Sequence, residues 1–108
     1  MNPAPLAVDP VLRALSDPTR RALYERLVGG EASIARLTEH GHISQPAVSQ
    51  HVAVLRAAGL LSKRMQGRST FYRADPNRLM PLVDWIARQD AFWRSALSRL
   101  NNLLEEKE

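Results

Sequence analysis

The apolar positions recur with helical spacing over most of the chain and change period once. Val8, Val11, Leu12 and Leu15 share a helical face, and Asp9-Pro10 is a plausible start signal for it. Ser16 interrupts that run. Asp17-Pro18-Thr19-Arg20 then opens a second helix: aspartate can cap free N–H groups, and proline at the first helical position loses nothing, its N–H being an orphan there anyway. Ala22, Leu23, Leu27 and Val28 form its expected apolar stripe, and Gly29-Gly30 ends it. Ser33 caps a short third helix, 33–40, with Ile34, Leu37 and Ala35 inward, and Gly41 stops it. Ser44 caps a fourth helix, 45–58, with Pro46 tolerated in its first turn. Its Val48, Val52 and Leu55 lie at i, i+4 and i+7 on one buried face, and Gly59 ends it.

The period then shortens. Residues 60–65 read as a strand, 66–69 as a turn and 70–74 as a second strand, so 60–74 is a hairpin. Asp75-Pro76 opens the last helical region, where Pro81 marks a kink or the true start. From Leu82 onward apolar residues recur at 82, 86, 93, 97, 100 and 104, flanked by Trp85, Phe92 and Leu103. That run is too apolar for one face, so one side is expected on its own domain and the other on a partner. Residues 1–6, with Pro3 and Pro5, are a loose lead-in. The expected fold is a single domain, mainly α with one β-hairpin, in the order ααααββα.

Composition narrows the chemistry. The chain has 108 residues, one domain's worth, and no cysteine, which removes disulfides, thiolate metal sites, cysteine nucleophiles and thiol redox sensing together. No run of about 18 apolar residues offers a membrane span. The stretch 1–8 lacks a basic n-region, so no secretory signal is expected and a cytoplasmic address follows. The net charge is +4, unevenly spread. Residues 36–73 hold Arg36, Arg56, Lys63, Arg64, Arg68 and Arg73 against one acid, Glu39, whereas the tail is net acidic. A basic middle points to a polyanion partner, though basic faces are often only solvated.

The order of elements in that basic middle is more specific than its charge. Two helices joined by a short glycine-containing turn match a helix-turn-helix, whose second helix can enter the major groove of double-stranded DNA. Ser44 caps that helix. Gln45, Ala47, Ser49, Gln50 and His51 oppose its buried stripe, and residues 43–55 contain no Asp, Glu, Lys or Arg. Gln can pair with adenine, Ser adapts, and an Ala methyl can meet a thymine methyl. Lys63, Arg64 and Arg68 flank the Gly67 tip, where cations can lie along phosphates or enter a narrow minor groove. The plain alternatives are a solvated amphipathic helix and arginines that blunt exposed strand edges. No phosphate loop, Gly-x-Ser-x-Gly elbow or His-Glu-x-x-His is present, and Ser49 and His51 point apart on a helix, so no enzyme is expected.

Four stretches carry a family resemblance: 14–21 (Ala-Leu-Ser-Asp-Pro-Thr-Arg-Arg), 44–52 (Ser-Gln-Pro-Ala-Val-Ser-Gln-His-Val), 54–61 (Val-Leu-Arg-Ala-Ala-Gly-Leu-Leu) and 67–72 (Gly-Arg-Ser-Thr-Phe-Tyr). Over roughly residues 8–104 the chain resembles the ArsR-type winged-helix transcriptional repressors. The resemblance implies a winged helix-turn-helix, a bacterial or archaeal source and repression of nearby genes. It also implies a homodimer built by the first and last helices, here 8–15 and 79–104, with the recognition helices in successive major grooves of a palindromic operator. Val11, Leu12, Trp93, Leu97, Leu100 and Leu104 are the expected interface. The alternative is a winged-helix module that contacts proteins without reading DNA.

The sequence departs from the family's metal sensors. The family's Cys-x-Cys position in the third helix is occupied by Ile34-Ala35-Arg36-Leu37, and residues 76–108 contain no histidine, only Asp84, Asp90 and the tail acids. Zinc wants several N or S ligands. His40 and His42 beside Glu39 read as surface residues. No metal or cofactor is therefore expected, and the sequence does not name an effector.

Overall fold

The computed structural model describes residues 8–39 and 41–106. The expectations for the lead-in, for His40 and for the last two residues fall outside that set. Five α-helices and one hairpin follow in the expected order: α1 (Asp9–Leu15), α2 (Pro18–Val28), α3 (Ile34–Glu39), α4 (Gln45–Ala57), β1 (Leu61–Gln66), β2 (Ser69–Ala74), a 3-10 turn (Pro76–Leu79) and α5 (Met80–Glu106).

The α1–α2 corner explains the stretch 14–21. The Asp17 carboxylate accepts from the amides of Thr19 (2.8 Å) and Arg20 (3.1 Å), capping α2. The side chains of Arg20 and Arg21 then turn back onto α1. Arg20 Nε donates to the Ala14 carbonyl (2.6 Å), and Arg21 Nη1 to the Leu15 carbonyl (2.8 Å). One short segment thus satisfies orphan donors of the second helix and orphan acceptors of the first.

The Asp17 carboxyl is held below its ordinary value, chiefly by the Arg20 amide, then, against some desolvation, by the Thr19 amide and the charges of Arg20 and His51. A depressed carboxyl contributes stability above its unfolded value, 3.8, and loses it as pH falls through the folded value. Asp17→Ala is therefore expected to melt below the parent at neutral pH, with the gap closing in acid. Melting curves over an acid series check this; a gap that persists at the most acid pH would contradict it.

Helix α4 runs through the middle of the domain. Val48, Val52 and Leu55 are buried, with Leu27, Leu37, Leu60 and Leu61 around them. In α2 the inward pair is Tyr24 and Leu27, which share a face at i, i+3. Val28 is turned a further 100° and is 63 % exposed, and Ala22 is also exposed, so both leave the expected stripe. Ala35 of α3 is likewise exposed.

α4 ends in a Schellman arrangement. The Leu60 amide reaches back to the Leu55 carbonyl (3.0 Å) and the Gly59 amide to Arg56 (2.9 Å). Gly59 has φ +80°, a backbone that favours glycine, and a Cβ there would also have to push aside the Arg78 side chain, 2.6 Å away. Leu60 is fully buried and its carbonyl accepts from Asp75 N (2.8 Å), which closes the hairpin base.

The hairpin is tighter than expected. Gln66 pairs with Ser69, leaving a two-residue turn, Gly67-Arg68. Gly67 has φ +61° and Arg68 does not have a positive φ, the pattern of a II′ turn. Ala32 makes a single antiparallel bridge to β2, exchanging backbone hydrogen bonds with Tyr72 (3.0 and 2.8 Å).

α5 has 27 residues, about 40 Å of helix. None of them is buried. Leu82 packs against the core; beyond it the large apolar side chains Trp85, Ile86, Phe92, Trp93, Leu97, Leu100, Leu103 and Leu104 are exposed. At 100° per residue they fall in one continuous arc, with Arg88, Arg94, Ser98 and Glu105 outside it. The expectation that one side would rest on its own domain is thus corrected. The radius of gyration, 19.7 Å, records the projection, since a compact chain of this length has about 13 Å.

Candidate nucleic-acid interface

α3, a turn ending at Ser44, and α4 form the helix-turn-helix. Ser44 Oγ accepts from the Ala47 amide (3.3 Å), fixing the N-terminus of α4. With Val48, Val52 and Leu55 inward, Gln45, Ser49 and Gln50 are exposed and Ala47 is half-buried. Gln50 points most directly outward, about 165° from the centre of the buried stripe at 100° per residue. The same face carries Pro46 and Ala53, both exposed, neither of which the sequence pattern singles out. His51 was expected among the outward residues; it is half-buried, and its charge reaches Asp17 at the head of α2.

Alternation along the hairpin sorts the basic residues onto two faces. Leu61, Lys63 and Met65 share a face with Tyr72; Ser62, Arg64 and Gln66 share the other with Phe71 and Arg73. Lys63 and Arg68 are exposed and make no ion pair among the described residues, and Arg68 sits at the tip. Arg64 differs. Its Nη2 and Nε hold the two carboxylate oxygens of Glu31 at 2.5 and 3.2 Å, its Nη1 donates to Gln66 Oε1 (2.7 Å), and its guanidinium lies 5.0 Å from the Phe71 ring centre. The Arg64 hydrogen bond is the main cause holding the Glu31 carboxyl below its ordinary value, and the same bond raises Arg64. Glu31 has no part in the sequence reading, because no local pattern links residues 33 apart.

Of the residues expected at an interface between copies, Leu12 (46 % exposed), Trp93, Leu97, Leu100 and Leu104 are at the surface. Val11 is not: it is 2 % exposed and belongs to the chain's own core, so it has no surface to offer. Among the described residues no three of His, Cys, Asp or Glu come together as a metal site.

Comparison with known proteins identifies the helix-turn-helix. A family description for a helix-turn-helix domain matches residues 15–64. The chain is 37 % identical over 99 residues to the HTH-type transcriptional regulator Rv2034 of Mycobacterium tuberculosis, covering 92 % of this chain and 90 % of that protein. It is 33 % identical over 76 residues to the transcriptional repressor SdpR of Bacillus subtilis, covering 70 % and 84 %. The solved structure of an ArsR-like transcriptional regulator from Rhodococcus sp. RHA1 superposes with a TM-score of 0.79 at 28 % identity, over 90 % of this chain and 92 % of that one. Matched along nearly its full length in both sequence and fold, the chain belongs to the ArsR-type family of winged-helix transcriptional regulators, and is a DNA-binding regulator rather than an enzyme.

Proposed function

We propose that the protein is a homodimeric repressor that reads a palindromic operator. α5 lies against α5 of a second copy, with Leu12 at the margin. The two α4 helices enter successive major grooves, and the wings reach the flanking backbone. The observation that carries this reading is the contrast between two adjacent surfaces. The outward face of α4 sets Ser49 and Gln50 among small apolar residues and bears no charge, suited to base edges, while Lys63 and Arg68 of the neighbouring hairpin are cations with no ion-pair partner among the described residues. The repressor role is supported by the name of the Bacillus relative. Among the described residues no helix is long and apolar enough to cross a membrane, and the proposed address is the cytoplasm.

The test separates base contacts from phosphate contacts. Gln50→Ala is expected to flatten base preference at symmetric positions of the operator, losing about 1–3 kcal/mol of discrimination per contact. Lys63→Ala is expected to weaken operator and random duplex by the same factor and to lower the salt slope by roughly 1 per protomer. Selection from random duplexes, followed by titration at several salt concentrations, reads both. Hairpin substitutions that change base preference while Gln50→Ala leaves it intact would reverse the assignment.

A further inference from the structure

We propose that Glu31 and Arg64 form a latch that sets the pose of the wing, and that Arg64 is a positioning residue rather than a phosphate ligand. The inference rests on the DNA-binding reading above and adds a division of labour among the wing cations.

The base of the hairpin is held by the Ala32–Tyr72 hydrogen bonds and by buried Leu61. A two-stranded ribbon has little stability of its own, so beyond that base its direction needs another tie. Arg64 stands three residues out from Leu61, on the face away from Tyr72. There its guanidinium takes both oxygens of Glu31 as a fork, a geometry that fixes orientation as well as distance. Phe71, its cross-strand partner, lies against the cation, and Gln66, next along the same face, accepts a third hydrogen bond. Glu31 belongs to the body, separated from α2 by Gly29-Gly30 and next to Ala32. The pair therefore joins body to wing across 33 residues of chain, and only 65–70 project past it.

Charge argues the same way. An arginine that serves phosphates keeps its donors free, as Lys63 and Arg68 do. For Arg64 to turn to a phosphate, the fork would have to open and leave the Glu31 carboxylate near the DNA backbone without a hydrogen-bonded cation, with only the weaker charge of Arg73 to offset it.

The two roles give opposite signs for one substitution. If Arg64 were a phosphate ligand restrained by Glu31, Glu31→Ala would remove a negative charge, free a cation, tighten binding and steepen the salt slope. If the pair is a latch, Glu31→Ala and Arg64→Ala each weaken operator binding, by roughly three- to tenfold, with the slope of log K against log salt unchanged. The double variant is then no weaker than either single one, and the charge-reversed pair Glu31→Arg with Arg64→Glu recovers binding. Amide exchange across 61–74, measured without DNA, speeds in both single variants and slows again in the reversed pair. This second readout stands even if the duplex used is not the operator. Tighter binding by Glu31→Ala, a slope lowered by about 1 per protomer in Arg64→Ala, or hairpin exchange unchanged in both variants would overturn the latch.

Discussion

Leu97→Asp is expected to yield a folded monomer whose affinity for a two-half-site duplex is lower by roughly 10²–10⁴-fold. Leu97 is 62 % exposed and packs on nothing in the core of its own chain, so the substitution leaves the domain intact. It lies in the arc of Trp93, Leu100 and Leu104, a stripe far longer than the isolated apolar patches of monomers. A second copy covering that stripe by a two-fold operation buries each Leu97 once per protomer, and an aspartate there meets apolar surface with no partner for its charge. Losing the dimer separates the two α4 helices. Each half-site then binds alone, without the effective concentration that a shared scaffold supplies. Sedimentation reads the mass and fluorescence anisotropy reads the binding. A variant that keeps the parent's mass, or a parent that is monomeric at micromolar concentration, would contradict the proposed assembly.

Leu55→Ala is expected to cost about 2–5 kcal/mol of stability. A domain of this size has only about 5–15 kcal/mol in total, so the melting temperature should fall by roughly 10 °C or more. Leu55 is fully buried, faces Leu60 across the helix cap and offers its carbonyl to the Leu60 amide. Truncation opens a cavity where α4 meets the hairpin base. The neighbour Val54, 42 % exposed, is the control: Val54→Ala should change stability by less than about 0.5 kcal/mol. Melting both variants at one protein concentration separates the effects, and equal losses would mean that the buried stripe of α4 is misassigned.

What was legible in the sequence was local. Val48, Val52 and Leu55 announce themselves by spacing, and Asp17-Pro18 and Ser44 by capping chemistry. What was not legible depends on surfaces brought from elsewhere. Val11 and Leu12 are adjacent and equally apolar, and only packing against the rest of the core decides which one turns inward. Tyr24 and Val28 lie one turn apart on α2, and again only packing decides that the first is buried and the second exposed. Local spacing shows the stripe of α5 but not that the core stops at Leu82. The Glu31–Arg64 pair has no local signature at all, because its two halves meet only when the hairpin folds back onto the segment after α2.

The cap at Gly59 has a mechanical consequence for recognition. α4 and β1 are joined through Ala58, Gly59 and Leu60 alone, and all three are fixed: the first by its amide bond back to the Val54 carbonyl, the second by a left-handed backbone and the third by burial. No slack lies between the helix that would enter the major groove and the wing that would reach beyond it. The pair behaves as a caliper of set opening rather than as two independent fingers. A duplex whose groove width does not suit that opening has to be bent or narrowed to fit, at a deformation energy that depends on its own sequence. Base steps that the protein never touches would then contribute to its choice of site through their stiffness.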